Sequence, residues 1–205
     1  MAAASRHAVL APAVVTGYLI TLAQLAYRFG SNQLGPNPIA TALNQLGLLA
    51  LVLLTATLCC TPLKLLWGWT WPLRLRRTLG LLAFSAALLH FLLYLGPDQG
   101  FDLVSVGKDL VKRPFIAVGF GALLLLAPLA WTSSKRAVQR LTFPVWQRLH
   151  YLVYPAALLA LLHFYWRVKA DHTQPLVYAA IVVAGFSLRG YARAVKPRKR
   201  QLKRS

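Results

Sequence analysis

A chain of 205 residues that is 58% hydrophobic and only 13% charged is not built like a soluble domain, which carries about twice that charged fraction. Its net charge of +19 does not indicate nucleic acid, because 17 of the 23 Lys and Arg residues collect in alternate segments between long apolar runs. No glutamate is present, and neither is GxGxxG, GxxxxGK[ST], CxxC or HExxH, which excludes the common nucleotide sites and zinc peptidases.

In chain order, uncharged runs of 21, 35, 20, 21, 18 and 17 residues follow Arg6, Arg28, Arg77, Arg113, Arg148 and Asp171. A hydrocarbon core takes roughly 20 apolar residues per helix, and in lipid the backbone must bond to itself. Six membrane helices are predicted, near 8–28, 44–66, 78–96, 114–132, 149–167 and 174–191. The first has a short basic start but no small-x-small cleavage site after its long apolar body, so it reads as a span and not a signal peptide.

Placing the N-terminus in the cytoplasm puts Lys64, Arg74, Arg76, Arg77, Lys135, Arg136, Arg140, Arg148 and the tail KPRKRQLKRS inside, and all four aspartates outside. The tail over 192–205 then lies against anionic lipid, with docking of an acidic cytosolic partner as a second use. The fold class is therefore an all-α integral membrane bundle, a single domain over 1–205 with both termini cytoplasmic. The connections are too short for a separate soluble domain. No internal repeat stands out in the spacing. Cys59 and Cys60 are adjacent in the second span, cannot easily pair, and read as small apolar residues.

Chemistry must then come from the bundle. His7 and His172 fall at borders or in loops. His90, His150 and His163 fall within spans, where an ionisable side chain marks a functional site by default. His90 lies six residues before Gly96 and His163 three before Trp166, both on outward-running spans. At about 1.5 Å per residue the two differ in depth by only roughly 5 Å. Opposed imidazoles are what a six-coordinate haem iron needs. A structural zinc site wants four ligands, and proton relays usually include carboxylates. His150 sits about 20 Å deeper by helix rise, with Pro155 between the two as a possible bend. The positions one inner layer before His90 are Arg77 and Arg76, suited to a haem propionate or a flavin phosphate but not to iron.

The stretches RRTLGLLAFSAALLHFLLY (76–94), KRPFIAVGF (112–120), LAWTSSKRAVQRL (129–141), WQRLHYLVY (146–154) and LHFYWRVK (162–169) resemble the MsrQ family, formerly YedZ. The resemblance covers residues 74–190, and the first two spans more loosely. It implies a fold similar to the transmembrane domains of ferric reductases and NADPH oxidases, in the bacterial inner membrane. It also implies a cytochrome subunit carrying haem b, in one or two copies, and FMN. Electrons would come from quinone or a cytosolic flavin reductase and go to MsrP, a periplasmic molybdopterin methionine-sulfoxide reductase that repairs envelope proteins. The chain itself would perform electron transfer, with sulfoxide reduction left to the partner. The family's ligands carry over onto His90, His163 and His150. The fourth position of the wider superfamily falls on Arg77 or Arg76, with Arg77 the expected grip on a propionate. The flavin domain fused to NADPH oxidases has no counterpart here. A methionine count of one, Met1 itself, suits a chain exposed to methionine oxidation. Two other readings stay open: a ferric or cupric reductase with the same haem core, and a haem-free scaffold or transporter subunit whose histidines bond helix to helix.

Overall fold

In this computed structural model residues 9–202 are described, without the side chains of Lys135, Arg193 and 196–202. His7 and the end of the tail lie outside the described residues. Helix α1 runs Leu10–Gly30, α2 Pro38–Trp67 and α3 Trp71–Leu93, the last continued by a π-helical turn over Tyr94–Asp98. Then come α4 Leu103–Lys112, α5 Pro114–Trp131, α6 Lys135–Leu141, α7 Phe143–His150, α8 Val153–Arg167 and α9 Thr173–Leu202. Six stretches are long and apolar enough to cross a membrane: 10–30, 38–67, 71–98, 114–131, 143–167 and 173–192.

The helices outrun the apolar segments because local signals start and stop them. Asn37 accepts the Ala40 N–H at 3.0 Å with Pro38 in the first turn, so α2 begins six residues ahead of the predicted 44. It stops at Gly68, whose φ of 71° is the left-handed conformation that closes a helix end. Helix α9 continues past 191 to Leu202. Two connections also hold helices not predicted from hydropathy, the amphipathic α4 and the short α6.

The predicted fifth span differs most. It is broken at Tyr151–Leu152 into α7 and α8, where the N–H groups of Tyr151, Leu152 and Tyr154 reach back only three residues. Pro155 explains the break, because it has no N–H to offer the Tyr151 carbonyl. The expected bend is thus an interruption, and His150 and His163 lie on separate helices.

Helix α2 packs most extensively on α3, and α5 on α8. Ala83 and Ala86 of α3 and Ala156 and Ala157 of α8 are almost fully buried. Such small residues let backbones approach closely where lipid gives no hydrophobic drive between helices. Helix α1 lies outside these pairs, held to α3 in part by a 2.7 Å hydrogen bond between Tyr18 and Ser85 hydroxyls.

Candidate functional site

The two helix pairs each present one imidazole by the same device. In the first, His90 Nδ1 of α3 lies 2.8 Å from the Leu43 carbonyl of α2. In the second, His163 Nδ1 of α8 lies 2.7 Å from the Phe115 carbonyl of α5. A carbonyl only accepts, so Nδ1 carries the proton in both rings and Nε2 keeps its lone pair. Four residues beyond each carbonyl stands a glycine. A Cβ on Gly47 would sit 3.2 Å from the His90 ring, and one on Gly119 only 2.6 Å from His163 Nδ1. Each ring therefore lies in a notch that any side chain would fill. The sequence spacing hid this repetition: the partners are 47 residues apart in one pair and 48 in the other. The repetition belongs to the geometry of the site and not to the sequence, which has no internal repeat. What recurs is one glycine, one histidine and a long interval.

The rings face each other edge to face with centroids 6.1 Å apart, which joins the two positions matched in depth by residue counting. Neither Nε2 has a hydrogen-bond partner among the described residues. Both rings line a cavity of about 470 Å³ between the helix pairs, walled by apolar side chains such as Leu51, Leu54, Phe91, Phe120 and Leu126. Leu103, Val106 and Leu110, on one face of α4, close one side. An ion held between two imidazoles, with metal–nitrogen bonds of about 2 Å and roughly 1.2 Å more to each ring centre, spaces the centroids by about 6.4 Å. Two notched imidazoles, two free lone pairs and an apolar slot fit a flat, metal-bearing cofactor that His90 and His163 would hold. Among the described residues no group of three His, Cys, Asp or Glu side chains converges to hold a bare ion.

The same cavity carries two arginines at its edge. Arg113 is exposed and its Nε lies 3.4 Å from Asp109 Oδ1. Tyr94 donates to the other oxygen of Asp109 at 3.1 Å. Arg167 is half-buried and forms neither an ion pair nor a hydrogen bond among the described residues. Outside the spans, Asp102 caps α4 through the Val104 N–H at 2.9 Å and the Ser105 hydroxyl at 2.7 Å. The Ser105 hydroxyl, with help from backbone N–H groups, holds the Asp102 carboxyl below the usual range.

The opposite end of the bundle is organised differently. His150 also donates Nδ1–H to a carbonyl, that of Trp146 at 3.0 Å, but within its own helix. Its ring stacks on Trp146 with centroids 3.9 Å apart, and no second imidazole faces it among the described residues. The cavity holding His90 and His163 does not include it. Arg77 is exposed, while Arg76 is the arginine within electrostatic reach of His150 and Arg189. Cys60 donates to the Ala56 carbonyl at 3.3 Å, and both cysteines are free. His172 packs against Tyr165 with centroids 4.7 Å apart.

Arg189 was legible in the sequence only as a border charge, yet it is buried. It donates to the Leu58 carbonyl of α2 and, at 3.1 Å, to the Tyr154 hydroxyl of α8. The reason lies four residues after Leu58: Pro62 has no N–H, so that carbonyl lacks its helical partner. The guanidinium supplies the missing donor and ties three helices together. A proline inside an apolar run, with an arginine late in another, is the only trace of this in the sequence.

Residues 46–161 match the family described as Ferric reductase like transmembrane component. Among curated proteins, the chain is similar to the protein-methionine-sulfoxide reductase heme-binding subunit MsrQ of Deinococcus radiodurans. The two are 48% identical over 89% of each chain. It is 49% identical to the MsrQ of Rhodospirillum rubrum over 83% of this chain and 82% of the relative. It is 46% identical to that of Herminiimonas arsenicoxydans over 80% and 76%. No solved structure matches the chain.

Proposed function

The chain belongs to the MsrQ heme-binding subunits and to the ferric reductase like transmembrane components, and from that premise we propose that it is a b-type cytochrome subunit of the bacterial inner membrane. It takes electrons from quinone or a cytosolic flavin reductase. It delivers them to MsrP, a periplasmic molybdopterin methionine-sulfoxide reductase. The observation that carries this reading is the pair of bare Nε2 atoms, on rings 6.1 Å apart, opening into one apolar cavity.

When bound there, haem iron supplies one-electron chemistry. The chain does the rest. His90 and His163 would hold the iron, and the Leu43 and Phe115 carbonyls fix the tautomer and angle of each ring. The apolar walls and α4 exclude water, which favours transfer over side reactions with solvent. With both termini cytoplasmic, as the basic residues support, this cavity lies toward the periplasm, on the partner's side. His150 offers a single imidazole toward the cytoplasm, for an inner haem or an exchangeable position. Arg76, the arginine within electrostatic reach of it, and Arg77, next to Arg76 in the chain, have the charge for a propionate or for the phosphate of FMN.

The test is the absorption spectrum of the detergent-purified chain, oxidised and dithionite-reduced, beside His90→Ala, His163→Ala and His150→Ala. A reduced b-type α band is expected. It should be largely lost in the first two variants and only partly changed in the third. A colourless wild-type chain from cells supplied with haem would sink the reading and leave the histidines as groups that pack helices.

A further inference from the structure

The cavity has an unused cation at its edge. Arg167 stands one helical turn after His163 on α8, so both side chains fall on the same helix face. It lines the main cavity and also a second one of about 240 Å³, where Asn44, Leu48 and Phe164 are likewise shared walls. Every carboxylate nearby is otherwise engaged. Asp109 takes Arg113 and Tyr94. Asp171, on the wall of the second cavity, accepts from the Thr173 N–H at 2.9 Å. Asp98, at the rim of the main cavity, accepts from the Gln99 amide at 3.1 Å. The repeated device sharpens the contrast. Four residues after His90 stands Tyr94, whose hydroxyl has Asp109, whereas four residues after His163 stands Arg167 with nothing.

A half-buried guanidinium without an anion is costly, and its planar fork matches a carboxylate. Resting on the haem reading above, we propose that Arg167 is the anchor for a carboxylate of the bound tetrapyrrole, fixing which edge of the cofactor faces the outer end of the cavity. Arg113, already bonded to Asp109, is not the anchor. The carboxylate is the cofactor's own and not that of a separate small anion in the second cavity, because Arg167 is tied by helix geometry to the residue proposed to grip the metal.

The test is a double-mutant cycle between protein and cofactor. The full chain, produced without haem and purified in detergent, is titrated with haem and with haem dimethyl ester, following the Soret band. The wild type is expected to bind haem about tenfold to a hundredfold more tightly than the ester, the worth of a hydrogen bond to a charged group. Arg167→Gln should lose most of that preference while binding the ester like the wild type, which also shows that its site is folded. Arg113→Gln should keep the preference. If Arg167→Gln does not fold, Arg167→Lys decides, with the preference expected to fall several-fold; an unchanged preference there overturns the proposal. It is also overturned if the wild type binds haem and ester alike, if Arg167→Gln keeps the full preference, or if the preference follows Arg113. A wild type that binds neither compound contradicts the haem reading itself, a separate result.

Discussion

The two ends of the bundle use the same residue types to opposite effect. At one end His90 and His163 satisfy one nitrogen on the backbone and leave the other facing a cavity, in notches kept open by Gly47 and Gly119. At the other, Arg189 gives both terminal nitrogens of its guanidinium to a carbonyl orphaned by Pro62 and to Tyr154, leaving only its Nε unpartnered among the described residues, and His150 is stacked on Trp146. A polar group in a membrane span is therefore informative less by its presence than by where its hydrogen bonds go. Groups with unspent bonding capacity beside empty space point to a ligand. Groups whose bonds close within the helices point to packing.

The largest expected effect breaks the open end. Gly119→Val places a branched side chain where even a Cβ would be 2.6 Å from His163 Nδ1. Overpacking of this kind costs about 1–3 kcal/mol, which lowers haem retention roughly tenfold to a hundredfold. Gly47→Ala, with its Cβ at 3.2 Å, should retain more. Haem content per chain after dialysis checks both, and equal retention by Gly119→Val and wild type would remove the notch from the account.

Next in size is the closed end. Arg189→Met leaves the Leu58 carbonyl without a donor and should cost about 1–3 kcal/mol of stability, with the α band unchanged. Pro62→Ala in the same chain restores a backbone N–H and should recover part of the loss. Thermal midpoints in detergent for the two single variants and the pair measure the coupling. Strict additivity would dissociate Pro62 from Arg189.

His150→Ala should alter the spectrum only in part, and His150→Phe, which keeps the stack on Trp146, should hold the thermal midpoint near that of the wild type. Loss of the whole α band in His150→Phe would erase the distinction between the ends.

The smallest effect lies at the mouth of the cavity. The hydrogen bonds from Ser105 and the Val104 N–H keep the folded Asp102 carboxyl below its unfolded pKa. Its contribution is therefore present above about pH 4 and lost as the pH falls through the lower folded value. Asp102→Ala should speed hydrogen exchange at the Val104 amide near neutral pH and leave the global midpoint almost unmoved. An unchanged exchange rate would show that the cap does not hold α4.

The six spans were legible because charge-free runs of about the bilayer's thickness leave the backbone few options. The juxtaposition of His90 and His163 was legible as well, since counting residues from the span ends fixes depth. The break at Tyr151–Leu152 was only half legible: Pro155 marks a lost hydrogen bond, but whether a helix bends or stops depends on what packs around it. Gly47 and Gly119 were not legible as site residues, because glycine is ordinary in membrane helices and its role here needs a ring from another helix. Arg189 was legible only as the charge that ends the last apolar run, because its acceptor, Leu58, lies 131 residues away. Arg167 was passed over for the same reason, since its half-buried position at the cavity edge is a property of packing.

The backbone bonds of the three imidazoles have an energetic consequence. Each of His90, His163 and His150 has committed its Nδ1 proton to a carbonyl, and the four aspartates all lie at the ends of the spans or between them. Among the described residues no chain of carboxylates and imidazoles runs through the bundle. On the proposed function, an electron moving from the inner to the outer face would be driven outward by a potential negative inside, by about 2.3 kcal/mol for each 100 mV crossed. If that proposal holds, the reduction it serves would draw directly on the energised state of the cell, and would slow when the membrane potential collapsed even with the donor fully reduced.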